Sequence, residues 1–253
     1  MKVLSLFDGI SCGRVALERA SIPVEAYHAF EIDPYAIQVS RQNLDGKSKL
    51  FFDYVRAKEE MRPQWFLFEN VASMNAESKA IISELLGCEP VFIDSANFSA
   101  QTRPRLYWTN IPLDLSSLPT SDLCLADVLE DKVDEKYFYN LNIINVDMSK
   151  PVCGLLEPWN YEMMKRIYNP RFKSPTLTCV TGGNQQKKVM IDGRARKLTP
   201  LEYERLQTLP DNYTRGVSDS QRYKAIGNGW TVDVITWILS QIPREAPLEN
   251  WML

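Results

Sequence analysis

The chain has 253 residues, 45% of them hydrophobic and 24% charged, a balance typical of a globular protein with one large domain and room for a smaller one. No apolar run approaches the ~20 residues that a membrane-spanning helix needs, and the sequence begins directly in a strand pattern, so we expect neither a membrane anchor nor a signal peptide. Five scattered cysteines and a single histidine argue against a disulfide framework and a metal site, and they favour a reducing compartment.

The formal net charge is -3, but the basic residues are concentrated in one stretch. Residues 161–200 contain nine basic side chains and two acidic ones, so the rest of the chain is strongly acidic. This asymmetry predicts one face for a polyanion on an otherwise acidic body. Chance clustering in solvated loops is the alternative.

The first half of the sequence alternates between apolar strands and amphipathic helices. We predict strands at residues 3–7, 25–30, 66–68, 89–94 and 105–110, and helices at 13–20, 35–42, 48–61 and 78–86. Strands that alternate with helices predict an α/β fold with a doubly wound, mostly parallel sheet.

The second half begins differently. Residues 114–199 are rich in Asn, Pro and Gly and lack helical periodicity, which predicts a smaller, irregular domain. Thr199-Pro200-Leu201-Glu202 has the pattern of a helix start, and a last helix is predicted at 231–241. We therefore predict a large domain formed by residues 1–115 and 216–243, and a small domain formed by residues 116–215.

The first strand runs into a glycine turn, Phe7-Asp8-Gly9-Ile10-Ser11-Cys12-Gly13, and the second strand ends at Glu31. In α/β folds, ligands bind at the carboxyl edge of the sheet, where backbone N–H groups and a helix N-terminus are available. A carboxylate at the end of the second strand can bind both hydroxyls of a ribose. The glycine turn and Glu31 together predict a nucleoside-cofactor site. The alternative for Gly13 is close packing of the helix on the strand, which needs no ligand.

Two further segments place polar side chains near the predicted sheet edge. Glu69 follows three apolar residues, and a partly buried carboxyl group there can exchange a proton near neutral pH. Gln101-Thr102-Arg103-Pro104-Arg105 places two guanidinium groups two residues apart, on one face of an extended segment. Such a pair suits a base carbonyl and a phosphate. A structural ion pair is the alternative for both segments.

These blocks, followed by Arg196-Lys197-Leu198-Thr199-Pro200-Leu201-Glu202 and Ala225-Ile226-Gly227-Asn228-Gly229, resemble the ordered motifs of the DNA (cytosine-5)-methyltransferases, of the phage and bacterial type close to the animal de novo enzymes. The resemblance covers residues 1–112 and 174–240. It implies a Rossmann-like methyltransferase fold, S-adenosyl-L-methionine (SAM) as cofactor, S-adenosyl-L-homocysteine (SAH) as product and duplex DNA as partner. It also implies a cytoplasmic or nucleoid location in a bacterial or phage-infected cell.

The resemblance also implies roles for individual residues. Glu69 and Arg105 would contact N3 and O2 of a cytosine flipped out of the duplex, with Arg103 beside them. Cofactor contacts would come from Phe7, Asp8, Gly9, Gly13, Glu31, Ile32, Asn228 and Trp230. The small domain would read the major groove through Thr176, Thr178, Gly182, Gly183, Asn184, Lys187, Arg194 and Arg196. One departure is Gly229, where many members have serine.

One motif of the family is absent. The family activates cytosine C5 by adding a cysteine thiolate to C6, and this cysteine follows a proline between the second strand and the Glu69 strand. Here residues 32–66 contain no cysteine, and none of the five cysteines follows a proline. The chain alone is therefore expected to be inactive.

The same interval is too short for the family's sheet. The helix predicted at 35–42 and the helix predicted from 48 should be separated by a strand's length, ~17–20 Å, but residues 44–46 span only about 10 Å. Two strands, including the one beside the first strand, have no residues to form them. Three explanations stay open: a segment missing from the sequence, a segment supplied by a partner subunit, or an inactive relative that keeps DNA or cofactor binding, for instance as a regulatory subunit. RNA in place of DNA as substrate is also open.

Overall fold

A computed structural model describes residues 1–6, 8–31, 51–159, 161–180, 184–243 and 251–252. The first half contains β1 (Lys2–Leu6), α1 (Cys12–Arg19), β2 (Ala26–Phe30), α2 (Phe51–Met61), β3 (Leu67–Val71), α3 (Ala76–Leu86), β4 (Val91–Asp94) and β5 (Pro104–Thr109). The predicted alternation of strands and helices is confirmed for these elements. The helix predicted at 35–42 lies outside the described residues, as do the predicted site residues Phe7, Ile32, Gly182 and Gly183.

The α/β fold class is confirmed, but the described strands form two half-sheets. The first has the order β11-β1-β2, where β11 is Trp251–Met252, and both pairings with β1 are parallel. The second has the order β3-β5-β4, and β5 is antiparallel to both neighbours. Among the described residues, no hydrogen-bonded pairing joins β1 to β3.

Both half-sheets are covered by the same two helical layers. On one face, Leu17 of α1 packs in the same core cluster as Val3 of β1 and Leu67 of β3. On the other face, Tyr54 of α2 belongs to a cluster that contains Leu106 of β5, with Leu4 and Leu6 of β1 packed against it. Shared layers place the half-sheets side by side in one three-layer arrangement.

The middle of the chain forms a separate five-stranded sheet, which we call the second sheet. The prediction that this part has no regular structure was therefore wrong. Its strands are β6 (Ile143–Ile144), β7 (Val152–Leu156), β8 (Arg166–Tyr168), β9 (Lys188–Ile191) and β10 (Arg194–Lys197), in the order β10-β9-β8-β7-β6, and the short helix α4 (Glu162–Lys165) precedes β8. Asp192 and Gly193 join β9 to β10 with φ of 46° and 76°, as a two-residue hairpin turn requires. That Asp-Gly pair was the sequence signal for the hairpin. The predicted domain boundaries stay a prediction.

The last part contains α5 (Pro200–Leu206), α6 (Asp219–Asn228) and α7 (Val232–Ser240). The predicted helix start is confirmed, because the Thr199 side chain accepts from the Glu202 N–H and the Glu202 carboxylate accepts from the Thr199 N–H. Within the described parts of the chain, no helix is long and apolar enough to cross a membrane.

Candidate active site

The glycine turn after β1 is held by a network of hydroxyl groups around Asp8. The Asp8 carboxylate accepts hydrogen bonds from Ser5 and Tyr27, both at 2.6 Å, and a third from Ser11. Tyr27 lies near the start of β2, so this network joins the turn after β1 to the neighbouring strand. Sequence reasoning missed Tyr27, which lies inside a strand and carries no motif signal.

The predicted ribose ligand lies next to this turn. The Gly9 N–H donates to Glu31 Oε2 at 2.8 Å, and Gly9 has a φ of 58°, which favours glycine. Gly13 lies under the C-terminal block, since a Cβ on it would be 3.3 Å from the Tyr27 hydroxyl and 3.4 Å from the Trp230 ring. The turn is therefore shaped by two glycines and faces a carboxylate.

A small cavity of about 40 Å³ opens at the turn. It is lined by Ser5, Asp8, Gly9, Cys12, Gly13, Asn228, Gly229 and Trp230. The structure thus brings together five residues that were predicted to bind a cofactor, and Glu31 adjoins them through Gly9. A carboxylate beside a glycine turn that leaves little room for a Cβ at Gly13 fits the ribose and amino-acid parts of a nucleoside cofactor.

Glu69 and Arg105 form an ion pair on adjacent strands. Arg105 Nε lies 2.6 Å from Glu69 Oε1, and their side chains are 12% and 17% exposed. The other carboxylate oxygen, Oε2, accepts from the Trp230 indole N–H at 3.1 Å. Glu69 is therefore held between the C-terminal block and β5.

A second cavity, of about 370 Å³, lies on the other side of Arg105. It is an open cleft lined by Val71, Ala72, Ser73, Pro104, Arg105, Thr176, Leu177, Thr178, Cys179, Gly227 and Asn228. The predicted recognition residues Thr176 and Thr178 lie here, and Asn228 borders both this cleft and the small cavity. The cleft and the cofactor-type cavity therefore meet at Asn228.

Arg103 occupies a different environment from the one that the sequence suggested. Its side chain is buried and donates to the backbone carbonyls of Leu177 at 2.7 Å, Gly229 at 3.0 Å and Gly227 at 3.1 Å. Burial lowers the pKa of Arg103 to about 10. Arg103 therefore stabilises the backbone segments that line the cleft and does not present its N–H donors to the cleft.

Gln207 supports the same backbone and was missed as a candidate site residue. Its amide donates to the carbonyls of Ile226 and Gly229, both at 2.9 Å, and its oxygen accepts from Gln101 and Thr231. With Arg103, it fixes the chain on both sides of Asn228.

The basic stretch is not a uniform surface for nucleic acid. Arg196 is 2% exposed and is ion-paired with the fully buried Glu202 at 2.6 Å, so its position does not support the predicted DNA contact. Arg194 is half-exposed and pairs with Glu135. Burial lowers the pKa of Lys187, and Lys188 is buried with its amine donating to the Asn184 and Gln186 carbonyls.

None of the five cysteines has the setting of the family's nucleophile. Cys12 and Cys153 are buried, and burial raises the pKa of the Cys12 thiol to about 12. Cys88 follows α3, and Cys124 precedes a short turn of helix. Cys179 is partly exposed and lines the cleft. The described residues contain no group of His, Cys, Asp and Glu side chains suited to a metal ion.

A mixed α/β core with a ligand-type turn at the carboxyl edge is typical of folds that bind nucleoside cofactors, among them the SAM-dependent methyltransferases. The sequence matches the profile of the C-5 cytosine-specific DNA methylase family over residues 40–244. The chain belongs to this family.

Named relatives agree with this assignment. The orphan methyltransferase M.SPBetaI of Bacillus phage SPbeta is 24% identical, over 78% of this chain and 70% of its own length. The type II methyltransferase M.HpaII of Haemophilus parainfluenzae is 26% identical, over 76% and 63%. The M.SPBetaI alignment runs over 309 positions, more than the 253 residues of this chain, so that relative has residues without counterparts here.

Solved structures show the same fold. The S. pombe Dnmt2 methyltransferase superposes with a TM-score of 0.70 at 17% identity, over 95% of this chain and 97% of that one. A putative DNA modification methyltransferase from an E. coli prophage gives a TM-score of 0.67 at 16% identity, over 95% and 98%.

Proposed function

We propose that this chain is the cofactor- and DNA-binding part of a SAM-dependent DNA (cytosine-5)-methyltransferase that methylates C5 of a flipped cytosine in duplex DNA. The observation that carries the proposal is the meeting of two cavities at Asn228, with the Glu69–Arg105 pair beside them. Methyl transfer requires cofactor and base to be adjacent, and this arrangement supports that requirement.

The cofactor would lie at the glycine turn. Glu31 would accept hydrogen bonds from the ribose hydroxyls, and Asp8, Gly9 and Gly13 would surround the amino-acid part. Asn228 and Trp230 would close the cavity from the C-terminal block. When bound, SAM supplies an electrophilic methyl group on a sulfonium.

The target base would enter the cleft after leaving the duplex. Glu69 would face N3 and Arg105 would face O2, while the two residues hold each other in place. In the family's reaction, a thiolate adds to C6, C5 takes the methyl group, and loss of the C5 proton expels the thiolate and restores the ring. The Glu69–Arg105 pair supports the contacts to the base, whereas no described cysteine has the setting of the thiolate.

Thr176 and Thr178 would contact DNA from the cleft, Asn184 and Lys187 from the segment before β9, and Arg194 from β10. Gly182 and Gly183 are proposed for the same surface on sequence grounds alone. The second candidate function is a catalytically silent subunit that binds DNA or a partner, which the absence of a Pro-Cys pair favours.

Two measurements test the proposal. Calorimetry with SAH should show binding to the pure chain, and complete absence of binding would contradict the cofactor site. Transfer from labelled SAM to a pool of cytosine-containing duplexes, with folded RNA in parallel, should show no incorporation by the chain alone. A Cys179→Ser variant is the control: incorporation that disappears in this variant would assign the nucleophile to Cys179. Incorporation into RNA alone would contradict the proposed substrate.

A further inference from the structure

The Asp8 carboxylate belongs to a residue that lines the small cavity at the glycine turn, and three hydroxyl groups donate to it. Ser5 and Tyr27 donate to Oδ1, both at 2.6 Å, and Ser11 donates to Oδ2. A carboxylate has about four lone-pair sites, shared equally by its two oxygens. Among the described residues, the hydrogen bonds to Asp8 therefore fill Oδ1 and leave one site on Oδ2.

Tyr27 is the donor that reaches Asp8 from another strand. It lies on β2, opposite Val3 of β1. Burial, followed by the charge of Asp8, raises the pKa of Tyr27 above its ordinary value, so the hydroxyl stays protonated and acts as the donor. A Cβ on Gly13 would lie 3.3 Å from this hydroxyl oxygen, so the glycine at this position leaves room for it.

Closing the turn does not require all three donors. Ser11 alone bonds twice across the turn, because its N–H donates to the Asp8 carbonyl at 2.9 Å and its hydroxyl donates to Oδ2. Ser5 and Tyr27 donate instead to Oδ1, from β1 and from β2. Two donors on one oxygen, from separate strands, fix the rotation of the carboxylate. This arrangement favours a carboxylate oriented for a ligand over one that only closes the turn.

The remaining site on Oδ2 suits a cationic donor. An ionised carboxylate accepts hydrogen bonds and cannot donate them, and a cationic donor gives a charge-assisted bond that is roughly twice as strong as a neutral one. In the proposed cofactor, the ribose hydroxyls are assigned to Glu31, and the ammonium group of the amino-acid part is a cationic donor. Glu31 and Asp8 would therefore bind different parts of one ligand.

We propose that Tyr27 is a positioning residue for the amino-acid part of the cofactor. With Ser5, it orients the Asp8 carboxylate, which accepts a hydrogen bond from the cofactor's ammonium group. This inference rests on the proposed function, because it takes an S-adenosyl amino acid as the ligand of the turn. It goes further in one respect: Tyr27 favours adenosyl ligands that carry an ammonium group over those that lack it.

The test compares two ligands by calorimetry on the pure chain. One is SAH, and the other is 5′-methylthioadenosine, which shares the adenosine and the thioether but lacks the amino-acid part. Tyr27→Phe removes only the hydroxyl group and should weaken SAH binding about fivefold or more, on the scale of one hydrogen bond, with the affinity for 5′-methylthioadenosine staying within about twofold. Ser5→Ala, which removes the other donor to Oδ1, should give the same selective loss.

Tyr213→Phe is the matched control, because its hydroxyl donates to a backbone carbonyl of the same turn, that of Ile10, at 2.9 Å. It should leave the ratio of the two affinities unchanged. Asp8→Asn should also weaken SAH selectively, and in that background Tyr27→Phe should add little further loss, because both changes act on one contact.

An equal loss of affinity for both ligands in Tyr27→Phe and Ser5→Ala, or no loss for SAH, would overturn the proposal. So would a full further loss from Tyr27→Phe in the Asp8→Asn background, because it would mean that the hydroxyl acts independently of the carboxylate. Absence of SAH binding to the parent chain would contradict the proposed function itself. SAH binding to the parent without a selective loss in the variants would contradict the role of Tyr27 alone.

Discussion

The guanidinium Nε of Arg105 lies 2.6 Å from the carboxylate of Glu69, across the pairing of β3 with β5. In the register of these strands, Glu69 is opposite Tyr107 and Arg105 is opposite Val71, so the two residues are diagonal neighbours on one face. Trp230 donates to the second carboxylate oxygen at 3.1 Å. One carboxylate thereby joins the cleft to the cofactor-type cavity.

Arg105 and Arg103 are predicted to respond differently to mutation. Arg103→Met removes donors from three buried carbonyls, so we expect the free energy of unfolding to fall by about 3 kcal/mol or more. Arg105→Gln should lower it less, by about 1–3 kcal/mol, because the Glu69 carboxylate keeps its hydrogen bond from Trp230, but it should reduce affinity for cytosine-containing duplexes at least fivefold. Urea unfolding and fluorescence anisotropy measure the two effects. Equal destabilisation by both changes would contradict the distinct roles.

Glu31→Ala tests the cofactor site. The carboxylate accepts from the Gly9 N–H and is the proposed acceptor for ribose hydroxyls, so its removal should weaken SAH binding about tenfold, roughly 1.4 kcal/mol by calorimetry. Glu25→Ala, at an exposed position just before β2, is the matched control and should bind SAH like the parent. Glu69→Gln should also keep the parent affinity. If Glu31→Ala binds SAH as tightly as Glu25→Ala and Glu69→Gln do, the cofactor binds elsewhere.

The sequence predicted the α/β alternation and the helix start at Thr199 because both depend on local patterns: apolar periodicity and capping chemistry. It also placed Glu31, Asp8 and Gly9 together, since parallel strands end at one edge of the sheet. It could not assign Arg103 and Arg196. A basic side chain in a motif looks the same in sequence whether its partner is DNA, a carbonyl or Glu202, and only the packing of distant segments decides which partner it meets.

The second sheet was missed for a related reason. Its strands are two to five residues long, and all paired strands except β9 and β10 are joined by longer connections. Short strands carry too little periodicity to be recognised alone, and the Asp192-Gly193 turn was the one strong local signal.

Gly227→Ala is predicted to disturb the cleft. A Cβ at this position would lie 2.3 Å from the Thr178 carbonyl oxygen, a backbone atom that cannot move aside freely. We expect the segment that carries Thr176 and Thr178 to shift, with at least a fivefold loss of DNA affinity by anisotropy and a lower melting temperature. Ser220→Ala, on the exposed side of the same helix, is the control. Unchanged DNA affinity in the folded variant would show that the segment with Thr176 and Thr178 does not contribute to DNA binding.

Arg196 is predicted to act in stability rather than in DNA binding. Removing it leaves the buried carboxylate of Glu202 without its ion-pair partner, so Arg196→Ala should lower the free energy of unfolding by about 3–5 kcal/mol. The double variant Arg196→Met with Glu202→Leu should recover only part of this loss, because the Thr199 and Glu130 N–H groups lose their acceptor. DNA affinity of the folded double variant should stay within twofold of the parent, whereas Arg194→Ala, at an exposed site, should weaken it. If the double variant loses as much DNA affinity as Arg194→Ala does, Arg196 contributes to the DNA interface after all.

Lys188 gives a prediction for pH. Burial lowers its pKa to about 7, and its amine lies 4.7 Å from the centre of the Trp159 ring. In the unfolded chain the pKa of this amine is ~10.4. Between about pH 7 and pH 10 the unfolded chain therefore binds more protons than the folded one, and this residue's contribution to the free energy of unfolding rises with pH. Lys188→Met should remove that rise, so the stability of the parent relative to this variant should increase from about pH 6.5 to pH 9.5 in urea titrations. Lys132→Met, at an exposed lysine, is the matched control. A difference between parent and Lys188→Met that does not change with pH would mean that the amine is buried without loss of its proton.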